Sequence, residues 1–575
     1  MVSTKFTRAG SYLHSQSHRW SRTQSRDCAS TSPYCHRPGF ARLLLGAAAA
    51  SICAIAMPVV AQQAASPTAT IDSSRVEGVS LPSGVQAFLG VPYAAAPVRG
   101  LRWRDPQPVA AFTGTFHADR YGPQCPQPGR NANANQYSGA ETTSEDCLYL
   151  NVWAKPGSSK APVIVFLHGG AFFIGSSSMP LYGGEGVAKR GAVFVNLNYR
   201  LGVLGFLAHP DLSKESPHGT SGDYGFLDQI AALRWVRRNI AQFGGDPDNV
   251  TIVGQSAGSM SVLTLQASPL AAGLFQRAVG MSGAAIGSTG PMALRSMASG
   301  EAEGMKFQHM VKAGSLADMR NLSVERLTLP RAPGAPAIGA IQDGYVLPAS
   351  IETTFAQGKQ NDVPLILGFA RDEALGGFGP LKGLTDYRAR AAERFGNRAA
   401  QFLALYPAST DDEARTQAKL ADRDATMVAP MWQWAVAQNA HGRAPVYSYM
   451  FAQPHSYTPG VTFSDLDPAT AGAYHTSEVP FWFGTLESFN LFRRTRDWTA
   501  SDYNLSAIMI DSLIEFARTG SPETTKMDWP RFNGHNPVLL ELGKIPKPLP
   551  WPSSKKLNFY MADVAISKNS KELHD

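Results

Sequence analysis

Cysteine is scarce in this 575-residue chain: there are five, and three of them (Cys28, Cys35 and Cys53) sit near the amino terminus. Only Cys125 and Cys147 remain for the body of the protein, too few for a disulfide-built fold. No Cys/His cluster has metal-ligand spacing, and neither a G-x-G-x-x-G stretch nor a P-loop is present, so no metal and no nucleotide cofactor is expected. Linkers are missing too. No Gly/Ser or Pro tract, charge block or internal repeat interrupts residues 70–565, which argues against a string of modules. Charged residues make up 17% and apolar residues 44%, the composition of a chain with a sizeable core rather than a disordered one. The length would allow about two to four average domains, but one large domain over 62–575, carrying insertions, fits these absences better.

Positive charge is also scarcer than the net value of +7 suggests. Residues 1–61 hold Lys5, Arg8, Arg19, Arg22, Arg26, Arg37 and Arg42 against the single acid Asp27, which leaves about +1 for everything after them. No basic face is left to argue for nucleic acid or an anionic membrane. The segment reads instead as an export leader. Arg37 and Arg42 precede an apolar stretch from Leu43 to Ala56, and Val59-Val60-Ala61 fits the small-x-small rule for cutting before Gln62. The apolar stretch is short for a membrane span, so an uncleaved anchor is the weaker alternative. The basic segment ahead of it is unusually long, through either an early start codon or an extended leader. Export to the periplasm or the medium makes Cys125 and Cys147 disulfide candidates. No feature assigns an oligomeric state.

The β signals have the order of an α/β protein. Val163–Leu167 is a continuous apolar run ending in His168-Gly169-Gly170-Ala171, and Ala192–Val195 is a second, running to Asn198-Tyr199-Arg200. Phe226, Ile230, Leu233, Val236 and Ile240 then recur at helical spacing, ended by Gly244-Gly245-Asp246-Pro247. Val250–Val253 leads into Gly254-Gln255-Ser256-Ala257-Gly258 and a helix-compatible stretch: strand, sharp turn and helix, with a serine at the apex. That is the setting of a nucleophile elbow, whose glycines allow the turn to pack tightly. Val363–Leu367, Val446–Phe451 and a closing helix over about Leu505–Arg518 follow. Alternating apolar strands and amphipathic helices predict a large, mostly parallel sheet covered on both faces. Residues 284–340, Ala- and Met-rich, are expected as a helical insertion over its carboxyl edge.

A serine needs a base, and the base needs an orienting acid. Six histidines follow Ser256 (His309, His441, His455, His475, His535 and His574), and His475 stands out in a loop of small and polar residues before Phe481-Trp482-Phe483. For the acid, Asp372-Glu373 follows directly on the strand ending at Leu367-Gly368, where catalytic groups of such sheets collect. Asp343 reads as a turn aspartate. His168-Gly169-Gly170-Ala171 and the N–H of Ala257 offer backbone donors for an oxyanion, with His168 ordering its loop rather than acting as the base.

Together with Phe88–Ala94, Ser144–Val152, Asn198–Gly202, Phe243–Pro247 and Trp529-Pro530, these stretches resemble the type-B carboxylesterases over about residues 72–550. The resemblance implies an α/β-hydrolase fold, a small-molecule ester as substrate, and a triad of Ser256, Glu373 and His475. It further implies an oxyanion hole of Gly170, Ala171 and Ala257 with Gly169 in the same loop, a Cys125–Cys147 bridge, an Arg102–Glu145 pair, and a buried Glu478 partnered by Ser282. Two departures stand out: Ala374 where the family usually has glycine, and a longer stretch from His455 to Ala471. Gln255 replaces the glutamate that choline-ester hydrolases carry before the nucleophile. With Phe172, Phe173, Phe481 and Trp482 nearby, it predicts an apolar pocket for neutral esters. A silent binding protein is disfavoured because all three triad members are kept. An oligopeptidase is disfavoured because no propeller repeat accompanies the domain. An amidase and a hydrolase of polycarboxylic toxin esters stay open.

Overall fold

Residues 66–129, 131, 133–137, 141–287, 293–328 and 334–561 are described by a computed structural model. The leader over 1–61, the cut before Gln62 and Cys28, Cys35 and Cys53 lie outside the described residues. Eleven strands form the main sheet: β1 (Val79–Ser80), β2 (Gln86–Pro92), β3 (Tyr149–Ala154), β4 (Ala161–Leu167), β5 (Val193–Leu197), β6 (Gly245–Gln255), β7 (Arg277–Met281), β8 (Leu365–Ala370), β9 (Val446–Phe451), β10 (Val538–Leu542) and β11 (Lys547–Pro550). Their spatial order is β11-β10-β9-β8-β7-β6-β4-β5-β3-β2-β1. From β5 to β10 every neighbour is parallel, and the two margins are antiparallel.

The strand runs are uninterruptedly apolar because both faces are buried. On β4, Val163, Val165 and Leu167 enter one core layer, while Ile164 and Phe166 enter the other. The first layer is closed by Phe226, Ile230, Leu233 and Val236 of α1 (Tyr224–Asn239) and Leu263 of α2 (Ala257–Ala267). Helix α3 (Met297–Met310) belongs to the insertion, and Trp434 of α4 (Ala429–His441) returns to the first layer. The opposite layer takes Phe481, Trp482 and Phe483 of α5 (Val479–Phe483) and Leu505, Met509, Leu513 and Phe516 of α6 (Ala500–Thr519). Each such large side chain contributes about 1.5–3 kcal/mol relative to exposure. Helix α6 starts at a reciprocal Thr499/Asp502 cap and stops at Gly520, φ 85°.

One boundary differs from expectation. Gly244, at φ 80°, closes the turn after α1, but Gly245-Asp246-Pro247 already belong to β6, because Gly245 pairs with Ala161 of β4. The expected insertion contains α3 and short helices at Leu316–Asn321 and Val324–Leu327, with a parallel pair, Arg295–Ser296 with Ile341–Gln342, flanking them. Arg102 secures it. Its guanidinium pairs with Glu145 at 2.7 and 2.6 Å, and Nη1 donates to the carbonyls of Arg320 and Leu322 at 2.8 and 2.9 Å. Cys125 and Cys147 are bonded to each other. All described residues fall in one unit, Ala64–Asp575, and none of their helices is long and apolar enough to cross a membrane.

Candidate active site

Ser256 sits between β6 and α2 with φ 57° and ψ −122°, a conformation that side chains rarely adopt. Backbone contact explains the glycines around it. A Cβ on Gly254 would lie 2.0 Å from the Gly258 carbonyl oxygen, and one on Gly258 would lie 2.0 Å from that of Leu167. The Ser256 N–H donates to Met281 of β7 at 2.8 Å, fixing the apex to the sheet.

The loops after β8 and before α5 bring two more groups to this apex. His475 Nε2 lies 2.9 Å from Ser256 Oγ, and His475 Nδ1 lies 2.6 Å from Glu373 Oε2. A carboxylate only accepts, so Nδ1 carries the proton and Nε2 is left to accept from the serine hydroxyl. Glu373 is 1% exposed, and its Oε1 accepts the Ala370 N–H at 2.9 Å. Burial works against a charged His475, but the Glu373 hydrogen bond and charge, with Glu478 behind, raise its pKa above the ordinary imidazole value. Of the adjacent pair offered by the sequence, Glu373 reaches the histidine. Asp372 instead stitches the two loops together: its N–H donates to Ala473 at 3.0 Å, and its Oδ2 accepts from the Ala473 N–H at 2.8 Å. Asp343 is a turn aspartate as expected, accepting from the N–H groups of Tyr345, Val346 and Leu347.

The loop after β4 lies against the serine. A Cβ on Gly169 would stand 2.9 Å from Ser256 Cβ and 2.7 Å from the Gln255 carbonyl oxygen. Gly170, Ala171 and Phe172 have φ of 115°, 54° and 62°, so the backbone there turns in an unusual left-handed sense. Their carbonyls and N–H groups thereby leave the sheet direction, the kind of bend that gathers backbone donors into an anion-binding concavity. Ala257, first residue of α2, brings a helix N-terminus to the same place. His168 orders this loop. Its Nδ1 is 2.8 Å from the Gly169 carbonyl, its ring stacks on Tyr199 at 4.5 Å, and burial lowers its pKa to about 4.

Behind the histidine, Glu478 is fully buried and Oε1 accepts from Ser282 Oγ at 3.2 Å, the expected partner. Its Oε2 has no partner among the described residues. Burial, then the nearby Glu373 charge, push its pKa up to about 7. Gln255 is 1% exposed with Nε2 3.3 Å from His475 Nε2, so it touches the imidazole rather than only packing.

The expected aromatic pocket needs correction. Phe172 packs on Phe206 and Phe226, and Phe481 and Trp482 are wholly buried in the core layer under α5. Of the four, Phe173 lines a cavity of about 350 Å³ with Ile174, Leu201, Val203, Phe307 and Leu327, in which Ser256, Glu373 and His475 take no part. No charged residue lines it. An aromatic run near a loop is ambiguous between pocket wall and core, and one packed layer claims the run after His475. Asp372 and His455 stand in the sequence only as candidate acid and base, and Arg496 is not singled out at all; the roles the structure gives them depend on contacts across long separations. Among the described residues no three His, Cys, Asp or Glu side chains gather as a metal site.

A model of the carboxylesterase family matches residues 65–560. The chain is 36% identical over 479 residues to the fumonisin B1 esterase of Sphingopyxis macrogoltabida, covering 81% of this chain and 85% of that relative. It is 36% identical over 479 residues to the para-nitrobenzyl esterase of Bacillus subtilis (strain 168), covering 81% and 92%. Among solved structures, a thermophilic PNB esterase matches with a TM-score of 0.72 at 31% identity, over 86% of this chain and 99% of that one. The expected fold is therefore the observed one.

Proposed function

This chain belongs to the carboxylesterase family and is a carboxylic ester hydrolase, and from that premise we propose that it is an exported enzyme working through Ser256, His475 and Glu373 by way of an acyl-enzyme. Ser256 Oγ attacks the ester carbonyl as His475 Nε2 takes its proton. Glu373 holds the ring and stabilises its charged form. The N–H groups of Gly170, Ala171 and Ala257, with Gly169 in the same loop, receive the developing oxyanion, each such donor being worth about 10²–10³ in rate. Collapse breaks the bond to the alcohol, which leaves with the proton from His475. Water then repeats the cycle and frees the acid.

The observation carrying this reading is the unbroken relay of 2.6 and 2.9 Å from Glu373 through His475 to Ser256. Ser256→Ala is expected to keep the wild-type melting temperature and lose at least about 10⁴ in kcat. A variant retaining more than about one percent of kcat would refute the nucleophile. Export rests on the leader pattern over 1–61 and on the bonded cysteines, with a mature domain from residue 62 in the periplasm or the medium.

The uncharged cavity beside Phe173 and the neutral Gln255 favour neutral acyl and aryl esters over choline esters. A second reading, removal of polycarboxylic side chains from toxin esters, is favoured by the likeness to a fumonisin B1 esterase. A panel of para-nitrophenyl esters of increasing chain length, butyrylcholine and toxin esters separates the two.

A further inference from the structure

Arg496 is 1% exposed, yet no carboxylate pairs with it among the described residues. Its guanidinium lies instead over three rings, 4.1 Å from Tyr457, 4.7 Å from Phe489 and 5.0 Å from Phe463. Aromatic faces offset part of the cost of burying a cation without an anion, but not all of it. What the arrangement achieves is seen in the N–H groups. Nη2 donates to Asn135 Oδ1, Nη1 to the Thr495 carbonyl at 3.2 Å, and Nε to His455 Nδ1 at 3.1 Å.

The last of these bonds has a chemical consequence. A guanidinium can only donate, so His455 Nδ1 must accept, and the single proton of the neutral ring stands on Nε2. That Nε2–H points at the Ser477 carbonyl, 2.9 Å away. The ring is 4% exposed, and burial followed by the Arg496 charge lowers its pKa to about 3, so it stays neutral. Ser477 is two residues past His475, across Thr476, whose φ is 81°. A residue with a branched side chain does not hold that conformation unaided. Two further contacts come from the same side: Tyr474 Oη is 3.2 Å from His455 Nδ1, and Gln136 Nε2 donates to Thr476 Oγ1.

We propose that Arg496 is a positioning residue for ester hydrolysis: by imposing the Nε2–H tautomer on His455 it fixes the Ser477 carbonyl, and with it the ring of His475 between Ser256 and Glu373. The inference rests on the triad reading above. Arg496 reaches none of the reacting atoms, so its effect is on the placement of the base, a step in which small misplacements cost much rate.

Four variants of the full mature chain test this with para-nitrophenyl butyrate, rates being normalised to folded protein. Arg496→Met keeps the bulk against the three rings and removes the donors. It is expected to lower kcat at least about tenfold while KM stays within about twofold. His455→Phe fills the ring site without nitrogens and should fall as far. His455→Gln, which keeps a donor toward Ser477 and an acceptor toward Arg496, should recover most of kcat. The double variant Arg496→Met/His455→Phe should be no slower than the worse single one, as for two members of one chain of contacts. Unchanged kcat in His455→Phe, equal losses in His455→Gln and His455→Phe, or multiplying effects in the double variant would each overturn the proposal. A lowered melting temperature with unchanged kcat would also overturn it, and if Arg496→Met does not fold, the His455 pair decides. Wild-type protein inactive on this ester, or Ser256→Ala fully active, would instead remove the triad reading beneath it.

Discussion

The elbow carrying Ser256 and the loop carrying His475 meet at 2.9 Å but are held by opposite means. The elbow is fixed by backbone: its two glycines let strand and helix close on neighbouring strands, with Gly258 under the Leu167 carbonyl, Gly254 under that of Gly258 and the Ser256 N–H on Met281. The histidine loop makes a turn of its own, the Ser477 N–H on the Tyr474 carbonyl at 3.0 Å, and otherwise depends on side chains from elsewhere. Asp372 holds its start, His455 its middle, Gln136 reaches Thr476, and Ser282 meets Glu478 at its end. A nucleophile set by sterics tolerates almost no change. A base set by borrowed hydrogen bonds can be shifted while the fold survives.

Breaking the elbow should therefore have the largest effect. In Gly258→Ala the new Cβ meets backbone, which cannot rotate away, and a loss above about 4 kcal/mol is expected. Urea unfolding of the purified variant, or its failure to accumulate in folded form, reads this. A wild-type midpoint would mean the turn is not held by sterics. The second test strikes the other region from a distance. Cys125→Ser/Cys147→Ser frees the segment that carries Gln127, Asn135 and Gln136. These reach Gly175, Arg496 and Thr476 respectively, so the bridge supports the oxyanion and histidine loops but not the elbow. With the cysteines 22 positions apart the chain-entropy model gives about 3 kcal/mol. The double variant should fold, lose about that much in urea, and lose kcat as well; unchanged kcat would detach the bridge from the base.

The mildest change is Glu478→Gln. The folded pKa of Glu478 is raised from 4.5 to about 7, so its contribution to stability is intact below the lower value and is lost as the pH rises to the upper one. Roughly 3 kcal/mol of that pH-dependent loss should vanish in the glutamine variant, measured as urea stability at pH 4.5 and pH 8. The Glu478 charge also helps raise the pKa of His475. Its removal should move the acid limb of kcat/KM to lower pH, and an unmoved limb with an unaltered stability profile would show Glu478 to be a bystander.

The same contrast explains what could be read from the sequence. Strands β4, β5, β6, β8 and β9 and the elbow are legible because a short run of neighbouring residues encodes each of them, whereas β7, whose short run Arg277-Ala278-Val279-Gly280-Met281 is broken by a glycine, gives no such signal. Glu373 and His475 could be narrowed to a few candidates from loop composition, and family resemblance chose among them. Of the contacts that hold His475, the resemblance supplies Ser282 with Glu478, but the others could not be found in this way. Arg496 is 41 positions from His455 and 361 from Asn135, and neither distance leaves a local pattern. Phe481 and Trp482 were misplaced for a related reason. A three-residue aromatic run says that something large is buried, and only the packing of α5 against β9 and α6 says where.

Ser256 stands at φ 57° and ψ −122°, where a side chain costs on the order of 1–3 kcal/mol and glycine costs nothing. The residue proposed as the nucleophile thus holds a strained backbone conformation. Glycine at 256 would relax the backbone and end catalysis in one step. Selection acting on folding alone would discard the serine, so under the proposed mechanism the strain is a cost carried for turnover.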